Sequence, residues 1–247
     1  MKQTAFLNKT GIVAGFVVAV GALTVNAQNL YSNTNTEAGV FSSPNNEIGS
    51  EIILADNGNG STITGLSFNY YNTMPDNAAS LTVYLYANDG PASSTGPKTP
   101  GTVLWSTSWP ILNAPTNVPI GGDLHVDGLT FTETQQSDNN GDLPNGGVAV
   151  PSDFTWAVEF SGVSSGQDAG LVFTTDAPAV GRGYNDFWMN LGTAASPNWV
   201  LATNNVAPNL SFFFTASGTV PEPSSMALLG LGVVGMFGML KRKASRS

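Results

Sequence analysis

The sequence predicts an all-β fold: a single β-sandwich or jelly-roll ectodomain between an N-terminal signal peptide and one C-terminal transmembrane helix. Three observations carry that prediction. Short alternating apolar and polar runs, bounded by Gly, Pro, Asn and Asp, recur at intervals of roughly 10 to 15 residues through the middle of the chain, with no helical period among them. Apolar runs of another kind, unbroken by charge, occupy the two ends of the 247 residues. Only 10% of residues are charged, against about 25% in an ordinary soluble domain, which suits a chain that leaves the cytoplasm.

The first element is the leader, residues 1–27. Lys2 and Lys9 precede an apolar run from Gly11 to Leu23, and Val25-Asn26-Ala27 precedes the polar Gln28-Asn29. A basic start, a short apolar stretch and small residues at 25 and 27 are the parts of a secretory signal, which places the signal peptidase cut between Ala27 and Gln28. The apolar run is about 13 residues, short of the roughly 20 that span a bilayer. An uncleaved anchor is the alternative.

The ectodomain, 28–219, is about 190 residues and carries no internal linker or repeat, so it reads as one domain. The pattern places strands at 51–55, 63–71, 80–87, 102–108, 124–131, 154–160, 171–175, 199–202 and 210–216, nine or ten in all. The clearest is 80–87, where Leu81, Val83 and Leu85 take one face and Thr82, Tyr84 and Tyr86 the other. Asp56-Asn57-Gly58-Asn59-Gly60 reads as a hairpin turn, and 88–100, with three prolines, and the polar 132–147 as long loops.

The last element, 220–247, opens with Val220-Pro221-Glu222-Pro223-Ser224 and continues as an uncharged run from Met226 to Leu240. Two prolines around a glutamate give an extended strip. Fifteen helical residues cover about 22 Å, less than the roughly 30 Å of a bilayer core, so Ser224, Ser225 and a snorkelling Lys241 belong near the interfaces. Lys241, Arg242, Lys243 and Arg246 form a cytoplasmic basic anchor. By the positive-inside rule everything before the helix then lies on the outer side of the membrane, in agreement with the leader. A plain single-span anchor with a Pro-rich stalk is the alternative.

This ending resembles the PEP-CTERM sorting signal, also labelled an ice-binding protein C-terminal domain: a Pro-Glu-Pro motif at Pro221, Glu222 and Pro223, a Gly-rich apolar helix, and a terminal cluster at Lys241, Arg242 and Lys243. The resemblance implies export in a bacterium that makes extracellular polysaccharide, passage through the inner membrane, and recognition of the tail by an exosortase, with the helix a temporary anchor. Pro100-Gly101-Thr102-Val103-Leu104-Trp105, after the 81–86 strand, is loosely similar to choice-of-anchor sandwich domains, a likeness that bears on fold alone.

Composition excludes several classes. Between Gln28 and Val220 only Lys98 and Arg182 stand against sixteen carboxylates, so there is no nucleic-acid partner. With no cysteine, disulfides, thiolate metal sites and cysteine nucleophiles are absent. Gly162-Val163-Ser164-Ser165-Gly166 has nucleophile-elbow spacing, but the one histidine, His125, comes before Ser164 and a strand follows, so it reads as a turn. Gly230-Leu231-Gly232-Val233-Val234-Gly235 lies inside the membrane run and is no dinucleotide fingerprint. Asp138, Asn140 and Asp142 alternate as calcium ligands do, but Leu143 and Ala149 stand where such loops carry Gly and Glu. A polar turn accounts for them, with weak calcium binding the only cofactor left open. Glu133 and Glu159 are the carboxylates a glycoside hydrolase would need, and their separation would decide the mechanism.

Ten aromatics, Tyr70, Tyr71, Tyr84, Tyr86, Trp105, Trp109, Trp156, Tyr184, Trp188 and Trp199, are many for so few charges. Most such rings fill a core. Tyr84 and Tyr86 on one polar strand face, and Trp188 in a Gly-rich loop region after Arg182, are the candidates for stacking on sugar rings. The expected protein is thus an exported, non-catalytic cell-surface or biofilm-matrix component that binds exopolysaccharide. The alternatives are a secreted carboxylate-dependent hydrolase and a purely structural biofilm protein.

Overall fold

The computed structural model describes residues 27–34, 37–56, 58, 60–73, 79–93, 97–110, 126–132, 143–175, 177–193, 196–203 and 211–220. All regular structure among them is β: β1 Gln28–Asn33, β2 Glu37–Ser42, β3 Glu47–Ile53, β4 Ser61–Asn72, β5 Ser80–Ala87, β6 Val103–Pro110, β7 Val126–Thr132, β8 Val148–Val150, β9 Asp153–Ser161, β10 Ala169–Thr174, β11 Arg182–Gly183, β12 Asp186–Asn190, β13 Trp199–Thr203, β14 Ser211–Phe212 and β15 Phe214–Thr219. The signal-peptide residues before Ala27, His125, Glu133, the calcium candidates Asp138, Asn140 and Asp142, and everything from Pro221 on, including the sorting motif, the apolar run and the basic cluster, lie outside the described residues.

The strands form two antiparallel sheets. One has eight strands in the order β1-β15-β4-β10-β14, with β7 and β8 also on β4 and β2 on β10. The other has seven, in the order β13-β12-β3-β9-β5-β6, with β11 on β3. Their inner faces share one core. Alternation puts Leu81, Val83 and Leu85 of β5 and Phe154, Trp156, Val158 and Phe160 of β9 inward. Across the gap Trp156 stacks on Phe214 of β15 with ring centroids 4.2 Å apart and planes 11° apart, and Phe68 of β4 completes the contact at 5.6 Å. Burial of large rings of this kind is the main stabilising term of such a core.

Local chemistry explains the irregularities. In β4 the inward residues are Ile63, Leu66, Phe68 and Tyr70, a break in parity that the ladder accommodates with a register shift opposite Ser217 and Gly218. Gly65 sits at the shift, where a Cβ would come within 2.7 Å of the Ser217 hydroxyl. The Asp56–Gly60 segment is no hairpin: it carries the chain from β3 in one sheet to β4 in the other. Asp56 is fully buried there, accepting hydrogen bonds from the Gly58 amide at 3.0 Å and the Ser61 hydroxyl at 3.2 Å. The Pro-rich loop after β5 is also ordered where described. Gly90 and Thr99 close it through their backbones, and Asp89 accepts from both the amide and the hydroxyl of Thr102 at 2.7 Å, which holds its carboxyl below the usual range.

The expected turn at Ser164 is present. Gly162 and Gly166 have φ of 73° and 84°, Ser164 is exposed, and the segment joins β9 to β10, strand to strand, so no nucleophile elbow exists. Asn45, itself at φ 57°, exchanges side-chain hydrogen bonds of 3.0 Å with the amide and carbonyl of Val163 and ties this turn to the β2–β3 connection.

The connections define two rims. At one, β1 begins, β15 ends, β3 passes into β4, β8 into β9 and β5 into β6. The opposite rim carries the β2–β3 turn, the Gly162–Asp168 loop and the β12–β13 connection.

Candidate functional site

The outward face of the seven-stranded sheet gathers most of the unusual chemistry. Because the ladder is in register from β6 to β13, its outward residues form rows across the sheet. The row toward the second rim runs Ser108, Thr82, Glu159, Glu47, Asn190, Trp199, with the Ser80–Ser161 pair beyond it. The middle row runs Ser106, Tyr84, Ala157, Gly49, Trp188, Leu201. Toward the first rim lie Tyr86, Thr155 and Glu51, with Asp153 and Asp186 beside them.

The middle row is small at its centre, and this shapes the face. A Cβ on Gly49 would run into the Trp156 carbonyl and lie 2.6 Å from the Ala157 methyl. Larger rings from the flanks lean into the space that remains. Tyr84 and Tyr86 stack at 5.4 Å, and Tyr86 meets Trp199 edge-on at 5.6 Å, although their strands lie on opposite sides of β9, β3 and β12. That contact requires a strongly curled sheet whose outward face is concave.

Polar groups interlock with the rings. Tyr84 donates to Glu159 Oε2 at 3.0 Å, and Asn190 Nδ2 donates to Glu47 Oε2 at 3.0 Å. The Asn190 oxygen accepts from the amides of Gly192 and Asn198, which fixes the amide orientation. Thr82 and Ser108 share a hydrogen bond of 2.9 Å at the open edge. Asn88 donates to Asp153 and accepts from Thr155, each at 2.7 Å. On this face two buried atoms close no hydrogen bond of normal geometry: Glu47 Oε1, which faces the Tyr86 hydroxyl, and the indole nitrogen of Trp188, which faces Glu51.

The electrostatics follow from burial and like charge. Burial pushes the Glu47 carboxyl up, with Glu159 adding to the shift and the Asn190 amide and Tyr86 hydroxyl opposing it. Glu51 is pushed up to about 7 by burial first, then by Asp153 and Asp186. Asp186 is raised by burial as well. The hydroxyls of Tyr84 and Tyr86 are held above the ordinary phenol range by burial and by the neighbouring carboxylates Glu159 and Glu47 respectively.

The three expected sugar-stacking residues are brought onto this one face but play different parts. Tyr84 is half-buried. Tyr86 is 7% exposed and Trp188 0%, so they floor the face and offer no ring to solvent. Trp188 also lies in β12, not in a loop as expected, because Asp186–Asn190 pairs on both edges. Among the remaining aromatics, Tyr70, Tyr71 and Trp156 are buried, and Trp105 packs against the core. Trp199 is half-buried and Tyr184 is exposed.

Sequence reasoning chose Glu159 but missed its neighbour. Glu47 stands directly opposite Glu159 on the adjacent strand, and Cβ atoms of such a pair are about 4.5–5.5 Å apart. The expected strand began at residue 51, which left Glu47 in a loop. Glu47 shares Glu47–Ile53 with a second acid, Glu51, and its burial to 5% exposure was detectable only from the pairing. Among the described residues no group of three or more His, Asp or Glu side chains is arranged to hold a metal ion.

Residues 219–243 match the PEP-CTERM protein-sorting motif. That stretch begins at the last residue of β15 and takes in Pro221, Glu222 and Pro223 together with the apolar run and the first basic residues. Neither the curated proteins nor the solved structures yield a match.

Proposed function

We propose that this protein is an exported bacterial envelope or extracellular-matrix component, handed by its C-terminal motif to an exosortase, without catalytic activity of its own, whose ectodomain binds extracellular polysaccharide. The motif match over 219–243 is the observation that carries the sorting reading. Intact-mass spectrometry of the protein from envelope and medium tests it. A species starting at Gln28 and ending near Pro223 is expected, and a species that always retains Lys241 to Ser247 would overturn it.

Support for the binding reading comes from the concave face, where the Tyr84 ring stands beside the hydroxyls of Thr82, Ser106 and Ser108 and the carboxylate of Glu159, and Trp199 closes on Tyr86 across the curl. Stacking and hydroxyl recognition need that combination. With Glu47, Glu51, Glu159, Asp153 and Asp186 around it, the face repels polyanions and suits neutral or amino-bearing sugars over uronic acids. Affinity electrophoresis through gels containing neutral, amino and uronic polysaccharides should show retardation by the first two, lost in Tyr84→Ala. Passage through every gel without retardation would favour a purely structural biofilm role.

One observation favours a hydrolase as a second reading: Glu47 and Glu159 are paired across strands, with the Glu47 carboxyl raised as an acid catalyst requires. Turnover on a polysaccharide panel that disappears in both Glu47→Gln and Glu159→Gln would establish it. The burial of Glu47 and the engagement of Glu159 by Tyr84 support the non-catalytic reading instead.

A further inference from the structure

The first strand after the expected signal cut and the last strand before the sorting motif are neighbours. Gln28 pairs with Gly218 and Asn29 with Ser217, antiparallel, so the two exits of the ectodomain stand about 5 Å apart on the first rim. The second exit is held rigidly. β15 is bonded along both edges, to β1 as far as Gly218 and to β4 as far as Thr219 opposite Thr62. Only Val220 separates that strand from Pro221. The turn from β3 to β4, Ser152 and Arg182 surround the same rim and line an open cavity of about 490 Å³. The row Glu159, Glu47, Asn190, Trp199 lies toward the other rim.

Two lengths decide what this means for a chain held by its tail. From Val220 to Met226 six residues reach at most about 20 Å. The 12 residues of β4 run nearly rim to rim, about 40 Å at strand rise. The tether is shorter than the domain is tall, so the domain cannot invert to bring its second rim to the bilayer.

We infer that the first rim, bearing Gln28, the β3–β4 turn, Ser152 and the Thr219–Val220 exit, is the surface that faces the exporting membrane in the tethered precursor, with the Glu47–Glu159 end of the concave face held out toward solution. This rests on the reading of 226–240 as a membrane anchor. The ectodomain is therefore delivered to its sorting enzyme in one orientation, with the Pro-Glu-Pro motif separated in sequence from the end of β15 by Val220 alone.

The chain has no cysteine, so single labels are unambiguous. Ala55→Cys and Ser165→Cys occupy exposed positions on the first and second rims. The full-length chain, made in a host without the sorting enzyme, is reconstituted into phosphatidylethanolamine–phosphatidylglycerol vesicles that contain an acceptor dye. Energy transfer from a donor at 55 should be several-fold stronger than from a donor at 165. Equal or reversed transfer in protein that floats with the vesicles would overturn the orientation alone. Protein that does not float would overturn the membrane anchor, and the orientation with it. Separately, Asn29→Cys with Ser217→Cys should form a disulfide that speeds migration in non-reducing gels, and failure to form it in folded protein would overturn the side-by-side exits.

Discussion

Replacing Glu51 with glutamine should stabilise the protein, by an amount that grows as pH rises from about 4.5 to about 7 and is constant above that. Glu51 lies on the concave face close to Asp153 and Asp186, and burial together with those two carboxylates lifts it from 4.5 to about 7. A folded state with a raised carboxyl pKa binds its proton more tightly than the unfolded chain does. The sign is therefore opposite to that of a salt-bridged acid: stability is greatest below the unfolded value of about 4.5 and falls as pH climbs toward 7, after which it levels. Fully expressed, a shift of that size is worth about 3 kcal/mol. Glu51 is partly open to water, whose screening reduces this to about 1–2 kcal/mol. Glutamine keeps the shape and cannot ionise. Thermal melts of wild type and Glu51→Gln at pH 5 and pH 8 should nearly coincide at the lower value and separate by about 3–6 °C at the higher, the variant melting later. A separation that is the same at both pH values, or a variant that melts earlier at pH 8, would refute the electrostatic argument.

Gly49→Ala should cost about 2–3 kcal/mol in urea unfolding, because the new methyl meets the Trp156 carbonyl and the Ala157 side chain from which the sheet cannot withdraw. Trp156→Ala removes the stack on Phe214 and the contact with Phe68, and should destabilise by about 3–5 kcal/mol, read from the same titration. Tyr84→Phe keeps the ring on Tyr86 but leaves Glu159 without its donor. We expect about 1 kcal/mol less stability and weaker gel retardation, with less loss of retardation than in Tyr84→Ala if stacking dominates.

What could be read from sequence was what alternation writes. β5 and β9 were visible because apolar residues occupy every second position and the opposite face is polar. β4 was found even though its inward set, Ile63 and then Leu66, Phe68 and Tyr70, changes parity, since the apolar density outlasts the bulge. β1 and β2 were missed for a physical reason. Gln28–Asn33 looks like a polar leader end, yet Tyr31 and Asn33 are fully buried because the strand is inserted beside β15, nearly two hundred residues away in the chain. β12 was hidden behind the glycines at 181 and 183, which signal loops locally. The concave face escaped for a related reason. A strand's outward residues read as solvent-facing, and nothing within one strand says that Gly49 and Ala157 will leave room for rings from β5, β12 and β13 to close over them. Sites assembled from cross-strand register, such as Glu47 against Glu159, are legible only once the pairing partners are known.

The placement of β15 between β1 and β4 also determines how the protein bears load. Suppose the second rim is bound to a matrix while residue 220 is held at the cell. Tension then runs along the axis of β15, and the hydrogen bonds of both ladders lie across the pull. Bonds loaded in shear share the force and must fail together, whereas a terminal strand paired on one edge and pulled from its tip opens one rung at a time. Under that tension the chain would resist extension most strongly at β15, the strand from which residue 220 leaves the fold, so the first point to be loaded is also the last to yield.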